Sequence, residues 1–576
     1  MKYHNSRWHL TKSERMSDKT LRHIIELERS ELTPIDETNY HLFYFDGEFG
    51  NDQNDGKTSD TAKKTLNEAM RIIKEVSKVK LLFKRGTTFE GNFEIKDYWA
   101  SEEYPLIIDA YGNGARYPKF IGNQSVIHIM GSNVRVFNIE VTGVTATRGI
   151  HITPITTGAL KNVVIANCYV HDINFNWDHK KDSYYKDPDT IELEKVCPEY
   201  EEDGVTKGRY HYRWNGGIIA HNEIGPSWFE NVWFINNIIK NVARTGLTLY
   251  NKWTDKPGVG YGYNKWVGYH FENDITTGLG YFVSKNIYCI DNYVETVGGD
   301  GIVMSSANNV LMRGNICYYA NYLGRKGYWN GGIWVYNVSN CLFEYNEAAY
   351  TYKRHGSEDA QGFDIDNACQ NVLMRYNYAH HNEGGGLLCC NLKTGFVLRD
   401  EKGEVILNDG TETIIKETGR WFNNYIYKNY FRNNGIPTDS YRSAFLTIAR
   451  EVTYSTFKNN IVVLSPEIHA QSIINTEDMQ THSYELDFVN NVFYASKKTG
   501  ATFTIPMMHT SRFQNNKYHL IDSIDSEQSG EKLITLQEFI GNLIDIPNRD
   551  IFDRHNKAQE NLKNFMSYIS KGGFIS

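Results

Sequence analysis

The chain has 576 residues with 47 Gly, 39 Tyr and only 12 Pro, which suits a β-rich protein with many tight turns better than a helical bundle. A net charge of -8 argues against a basic face for nucleic acid and favours a neutral or modestly charged partner. No window approaches the roughly 20 apolar residues of a membrane helix. The start, "MKYHNSRWHLTKSERMSDKT", has no apolar signal core. The expectation is therefore a soluble protein, whose native form is either cytoplasmic or secreted to a bacterial surface with its export segment lost. The eight cysteines form no CxxC pair and most sit beside Val, Ile or Leu, as small, buried, reduced side chains do.

In chain order, residues 1–38 read as a charged helical extension packed outside the main body. "GNDQNDGKTSD", from Gly50 to Asp60, alternates acids like a Ca²⁺ loop but lacks the closing Glu, and reads as a turn. Thr61 to Lys78 has helical periodicity and precedes the strands "KLLFKRG" and "PLIIDAYG", as a cover for an open coil would. A unit then recurs that opens with Asn, runs through apolar residues and closes with Asn. Its copies are "NVWFINN" (Asn231), "NIYCIDN" (Asn286), "NVLMRGN" (Asn309), "NCLFEYN" (Asn340) and "NVLMRYN" (Asn371), followed by "FKNN", "FVNN" and "FQNN". Between them lie glycine-led strands: "GIIAHN" (Gly217), "GLTLYN" (Gly246), "GIVMSS" (Gly301), "GIWVYN" (Gly332), "GFDIDN" (Gly362) and "GLLCCN" (Gly386).

A period of about 24 to 31 residues, built of short alternating strands, predicts an all-β fold, a right-handed parallel β-helix over residues 39–525. Helical repeats would show spacings of three and four, and a propeller would need four antiparallel strands per repeat. Three stretches interrupt the pattern: about His171 to Arg213, Lys252 to Gly280, and Lys393 to Arg420. The first two carry Trp177, Trp253 and Trp266, and the third reads as a hairpin turning near Glu401-Lys402-Gly403. Residues 526–576 read as a helical C-terminal cap. The pairs His171-Asp172 and His380-His381 lack a third ligand at metal-binding spacing and read as surface or turn residues.

Stacking the glycine-led strands puts the first and third residues after Gly inside and the second and fourth outside. The fifth is Asn in all but one, Ser306, and predicts a column of amides bonding to the coils above and below. Asp364 and Asp366 are the second and fourth residues after Gly362, and Trp334 and Tyr336 hold the same places one coil earlier. Coils lie about 4.8 Å apart, which predicts an exposed shelf where rings stand beside acids. Rings pack on the apolar face of a pyranose while acids serve its hydroxyls or its glycosidic bond.

Asp359 sits on the turn feeding the same strand and can fold over to face Asp366. Trp329, His355 and Gln361 flank the shelf, and Asp300, Glu358 and Glu383 add acids on neighbouring turns. Glycoside hydrolysis needs two carboxyl groups, and the separation along one strand leaves retention and inversion both open. The same acids can instead bind Ca²⁺ between coils or solvate an outer face.

With "EDAQGFDIDN" and the coil motif together, the chain resembles the β-helix carbohydrate-active enzymes, and "FYFDGEFGNDQNDGKTSDTAKKTLNEA" resembles the opening of many of them. Asp359 and Asp366, seven residues apart and late in the coils, are similar to the catalytic pair of the glycoside hydrolase family 136 lacto-N-biosidases. That resemblance implies a retaining enzyme releasing lacto-N-biose from lacto-N-tetraose, with Asp366 as nucleophile, Asp359 as acid/base, and Asp364, Trp334 and Tyr336 holding the sugar. It implies no required cofactor. Some members depend on a separate or fused helical chaperone-like part, of which this chain has only a short helical start. Two other readings of the residues stay open: a polysaccharide lyase drawing cations from Lys353, Arg354 and Arg375, and a glycan-binding β-helix without catalysis.

Overall fold

The computed structural model describes residues 16–521 apart from internal stretches, the longer being 175–214, 252–282, 323–329, 354–358, 398–406, 433–444, 465–473, 478–485 and 497–511. The expected C-terminal cap, the first insertion beyond Asn174 and the whole of the second, with their three tryptophans, fall outside the described residues.

Each turn of the solenoid contributes a strand to three faces. The Asn-led units form an asparagine face, with strands such as Ser227–Ile235, Ser284–Ile290 and Gln370–Arg375. The glycine-led units form a glycine face, including Gly216–His221, Thr245–Tyr250, Gln361–Ile365 and Gly385–Asn391. Short strands such as Tyr169–Ile173, Tyr293–Val297 and Glu347–Ala349 make the third. Two long strands, Ile302–Arg313 and Ile333–Glu344, run unbroken from the glycine face onto the asparagine face. The coil-to-coil pairings are parallel and in register: Ile287, Val310, Cys341 and Val372 stand one above another, all fully buried. Burying one such side chain contributes about 1.5–3 kcal/mol, and the column repeats that gain at every turn. The seven described cysteines are buried and none is in a disulfide.

A second internal column is polar. The closing asparagines, Asn237, Asn292, Asn315, Asn346, Asn377, Asn429, Asn460, Asn491 and Asn516, form a continuous ladder, each Nδ2 donating to the next Oδ1 at 2.9–3.0 Å. Wherever the preceding residue is described, a ladder asparagine follows a sharp bend. Asn236, Asp291, Gly314, Tyr345, Tyr376, Asn459, Asn490 and Asn515 all have φ between 50° and 67°. That left-handed backbone suits Gly, Asn and Asp, and the buried amide beyond it satisfies the carbonyls that the corner leaves free.

Helix α1 (Asp18–Glu26) lies along the outside, where Ile24 and Leu27 cover Leu311, Leu342 and Leu373 from three successive coils. Glu28 just beyond it accepts from Arg313 through its carbonyl and pairs with Arg375 through its carboxylate. Helix α2 (Leu66–Glu75) closes the first coil with Leu66, Ala69, Ile72 and Ile73 buried. Asp52, from the acidic turn, accepts from the Lys64 and Thr65 amides and the Thr65 hydroxyl, so the Ca²⁺-like pattern serves to hold the helix start. One strand escapes the sequence reading: His41–Phe45 pairs in parallel with Val79–Lys84 ahead of α2. In the third insertion Leu407–Asn408 pairs antiparallel with Thr411–Glu412, a two-residue connection that the Asp409-Gly410 sequence suits, while the turn expected at Glu401-Lys402-Gly403 lies outside the described residues.

Candidate active site

The outward positions of the glycine face gather the predicted residues. Register pairs Val303 with Trp334, Trp334 with Asp364, and Asp364 with Leu388, one coil to the next. Inward neighbours Ile333, Val335, Phe363, Ile365 and Leu387 belong to the main core, whereas Val303, Trp334 and Tyr336 form a separate cluster with Tyr250. Leu388, Cys390 and Ala449 form another on the far side of the acids. Asp364 therefore stands on the same flank as the rings, between an aromatic coil and an aliphatic one.

The expected exposed shelf is a buried one. Trp334, Tyr336 and Asp364 are 5%, 8% and 7% exposed. Part of the reason is lateral packing, since the Trp334 and Tyr336 rings meet edge to face at 6.3 Å and cover Val303 and Tyr250. Sequence alternation reports which way a side chain leaves the coil, not what lies over it.

Asp366 follows on. Its amide donates to the Val335 carbonyl at 2.9 Å, continuing the parallel register and setting it in line with Tyr336. It is half-buried, and its Oδ1 accepts from Asn367 Nδ2 at 2.6 Å. That amide belongs to the column expected at the strand ends. The column exists in part: Asn222 donates to Asn251 at 2.8 Å and Asn337 to Ser306 at 3.2 Å. At the acid coil, however, Asn367 bonds to its own neighbour. The continuous ladder is the internal one on the other face, although Asn222, Asn251, Asn337 and Asn367 are buried too. Burial pushes the Cys369 thiol well up, and the Asp366 and Asp364 carboxylates add to the shift.

Asp359 is buried at 8% exposure on the turn before this strand. Between it and Gln361, Ala360 takes φ 102°, a left-handed value costly for a residue with a Cβ. Gly384 packs over this turn; a Cβ there would fall 2.5 Å from the Ala360 carbonyl carbon. Gln361 is 1% exposed, and its Nε2 finds no hydrogen-bond partner among the described residues. A buried amide left so costs about 1–3 kcal/mol, and such groups concentrate where a ligand completes them.

Trp329, His355 and Glu358 lie outside the described residues. Glu383 accepts from the Lys353 amide at 2.6 Å and staples a turn. Arg375 lies on the asparagine face, bound to Glu344 and Glu28, away from the acids. Arg244 is the residue that the sequence reading missed: it pairs with Asp300 at 3.3 Å, both nearly inaccessible, at the edge of the shelf. Its signal was a lone Arg two residues before a glycine-led strand.

The first histidine of each pair is corrected, whereas His381 is exposed at a left-handed bend, as expected of a turn residue. His171 is buried, with Nε2 3.1 Å from Glu140 and Nδ1 2.7 Å from Asp172, and His380 is buried with Nε2 3.1 Å from Glu347. Both sit on the third face, where neighbouring coils supply the carboxylates. Among the described residues, no three His, Cys, Asp or Glu side chains gather as a metal site would require, and no helix is long and apolar enough to cross a membrane.

Residues 230–409 match the family model of the right handed beta helix region. No curated protein matches the chain by sequence. Among solved structures, the chain is similar to the GH136 lacto-N-biosidase from Eubacterium ramulus, at 21% identity and TM-score 0.51, over 84% of this chain and 68% of that one. The catalytic domain of a GH87 alpha-1,3-glucanase in complex with nigerose aligns at 11% identity and TM-score 0.42, over 85% and 69%. The fold is thus a right-handed parallel β-helix of the all-β class, as the repeat predicts.

Proposed function

We propose that the chain is a carbohydrate-active enzyme, a retaining glycoside hydrolase that cleaves a β-glycosidic bond in an oligosaccharide, of the kind that releases lacto-N-biose from lacto-N-tetraose. The carrying observation is the register of Trp334 with Asp364 and of Tyr336 with Asp366, which stands flat rings beside acids on one outward flank. The likeness to a lacto-N-biosidase supports the substrate class. In this reading the Asp366 carboxylate attacks the anomeric carbon while the Asp359 carboxyl protonates the departing oxygen. Water then cleaves the glycosyl ester, giving its proton to Asp359. Asp364, Gln361, Trp334 and Tyr336 hold the sugar, with Trp329 and His355 as further contacts. No step draws on a cofactor or on Ca²⁺, and a helical chaperone-like partner would act on folding, not on chemistry.

Of the three cations that a lyase would draw on, Arg375 is bound to Glu344 and Glu28 away from the acids and weighs against that reading, Lys353 lies on the turn beside Glu383, and Arg354 lies outside the described residues. The test is a panel of aryl β-glycosides and milk-type oligosaccharides. Release of lacto-N-biose from lacto-N-tetraose, abolished in Asp366→Asn with binding retained, supports the reading. An unsaturated, ultraviolet-absorbing product from pectin or alginate would replace it with a lyase, and glycan binding without turnover in the parent protein with a binding module.

A further inference from the structure

Three observations meet at the coil above Trp334. Asp300 is 1% exposed, and its Oδ1 accepts from the Trp334 indole Nε1 at 3.2 Å and from the Gly331 amide at 3.3 Å. Its Oδ2 lies 3.3 Å from Arg244 Nη2, an ion pair with side chains 5% and 2% exposed. Two glycines make room for the arrangement. A Cβ on Gly299 would fall 1.3 Å from Arg244 Nη1, in the place the guanidinium occupies, and a Cβ on Gly331 would come within 3.3 Å of the indole Cδ1.

A buried ion pair costs desolvation that an apolar pair would not, so its presence calls for a reason beyond stability. The indole N–H is a single donor on a ring that rotates about two bonds, and one fixed acceptor at its edge selects one orientation. The carboxylate cannot move to follow the ring, because Arg244 and the Gly331 amide hold it from two further directions.

We propose that Asp300, anchored by Arg244, is the positioning residue for Trp334: it sets the plane of the ring against which the sugar bound at Asp364 and Asp366 packs. This rests on the glycosidase reading of the same shelf. In this reading Asp300 touches no reacting atom, and its carboxylate reaches the shelf through the Trp334 ring and the Gly331 amide beside it. A stacking surface held in plane before the sugar arrives loses no rotamer freedom on binding, so misplacing it raises KM and leaves kcat nearly unchanged.

The experiment is a double-mutant cycle on the full chain with lacto-N-tetraose, using Asp300→Asn, Trp334→Phe and their combination, with the Trp334 indole ¹H–¹⁵N resonance recorded for the parent and Asp300→Asn. Asp300→Asn is expected to raise KM roughly tenfold with kcat within about threefold, to move the indole resonance, and to add nothing in the Trp334→Phe background. Additive effects, or an unmoved indole resonance, would overturn the proposal while leaving the glycosidase reading intact. An unchanged KM in Trp334→Phe, or a parent that does not bind or cleave the tetrasaccharide, would overturn both. Should Asp300→Asn not fold, Arg244→Lys keeps the charge, loses the fork, and is expected to follow the same cycle with a smaller rise in KM.

Discussion

Replacing Asn346 by Ala tests the internal ladder where it can be counted. Asn346 is 1% exposed. Its Nδ2 donates to the Met312 carbonyl and to Asn377 Oδ1, both at 2.9 Å, and its Oδ1 accepts from the Asn315 amide at 3.0 Å and from Asn315 Nδ2 at 2.9 Å. Truncation removes four bonds and strands two donors on Asn315 and the Met312 carbonyl. At about 1–3 kcal/mol for each stranded buried group, less what shifting neighbours recover, the loss is about 4 kcal/mol. That is roughly a thousandfold in the local opening equilibrium. Amide exchange followed by mass spectrometry reads it: peptides within residues 310–380 should lose about that factor of protection, while Val79–Lys84, many coils away, should not change. The spatial contrast follows from the solenoid, where each coil contacts only its neighbours. Less than about a tenfold change near Asn346, or an equal change at both places, would show that the ladder is not what ties the coils together.

Burial without a partner for Nε2 pushes His128 down to about 4 and His151 well below the ordinary imidazole value. Unfolded, both titrate near 6.5, so between about pH 4 and 6.5 the unfolded chain binds more protons and stability falls as pH is lowered through that window. Thermal melts at pH 7 and pH 5 should differ by less in His151→Gln than in the parent, and an unchanged difference would sink the point. His171 has the opposite sign. Burial alone would lower it, but its bonds to Asp172 and Glu140 outweigh that and hold it above 6.5. Its contribution is full below pH 6.5 and fades as pH rises through the folded value, so His171→Gln should cost more at pH 6 than at pH 9. Ile24→Asp should detach α1 from Leu311, Leu342 and Leu373 at a cost of about 2–3 kcal/mol, seen as faster proteolysis near residues 18–26; unchanged cleavage would mean that polar contacts such as His23 with Asn309 and Glu28 with Arg375 hold the helix instead.

The repeat was legible because a solenoid writes the same local problem many times. Asn, apolar run, Asn encodes corner, wall and corner, and the left-handed φ at positions such as Asn236 and Asp291 is what those residue types tolerate. The outward direction of Asp364 and Trp334 was legible for the same reason, being a matter of parity along a strand. What parity cannot carry is what covers the shelf, so the low exposure of Trp334 and Asp364 was not foreseen. Nor does a column of Asn in the sequence say how far its amides bond coil to coil, since Asn222, Asn251 and Asn367 are buried like most of the ladder. Arg244 was invisible because its role is set by Asp300, two coils' worth of sequence away and adjacent only in space.

Keeping the amide ladder on one wall and the acids on another has an evolutionary consequence. The outward places Thr248, Val303 and Leu388 carry none of the continuous ladder, so exchanges there leave its rungs untouched; all three are buried, so what they alter is the packing around Trp334, Tyr336 and Cys390. The same wall offers a library design: exchange those three places among apolar residues of similar volume and leave the asparagines fixed, so that the shelf diverges without compensating changes elsewhere.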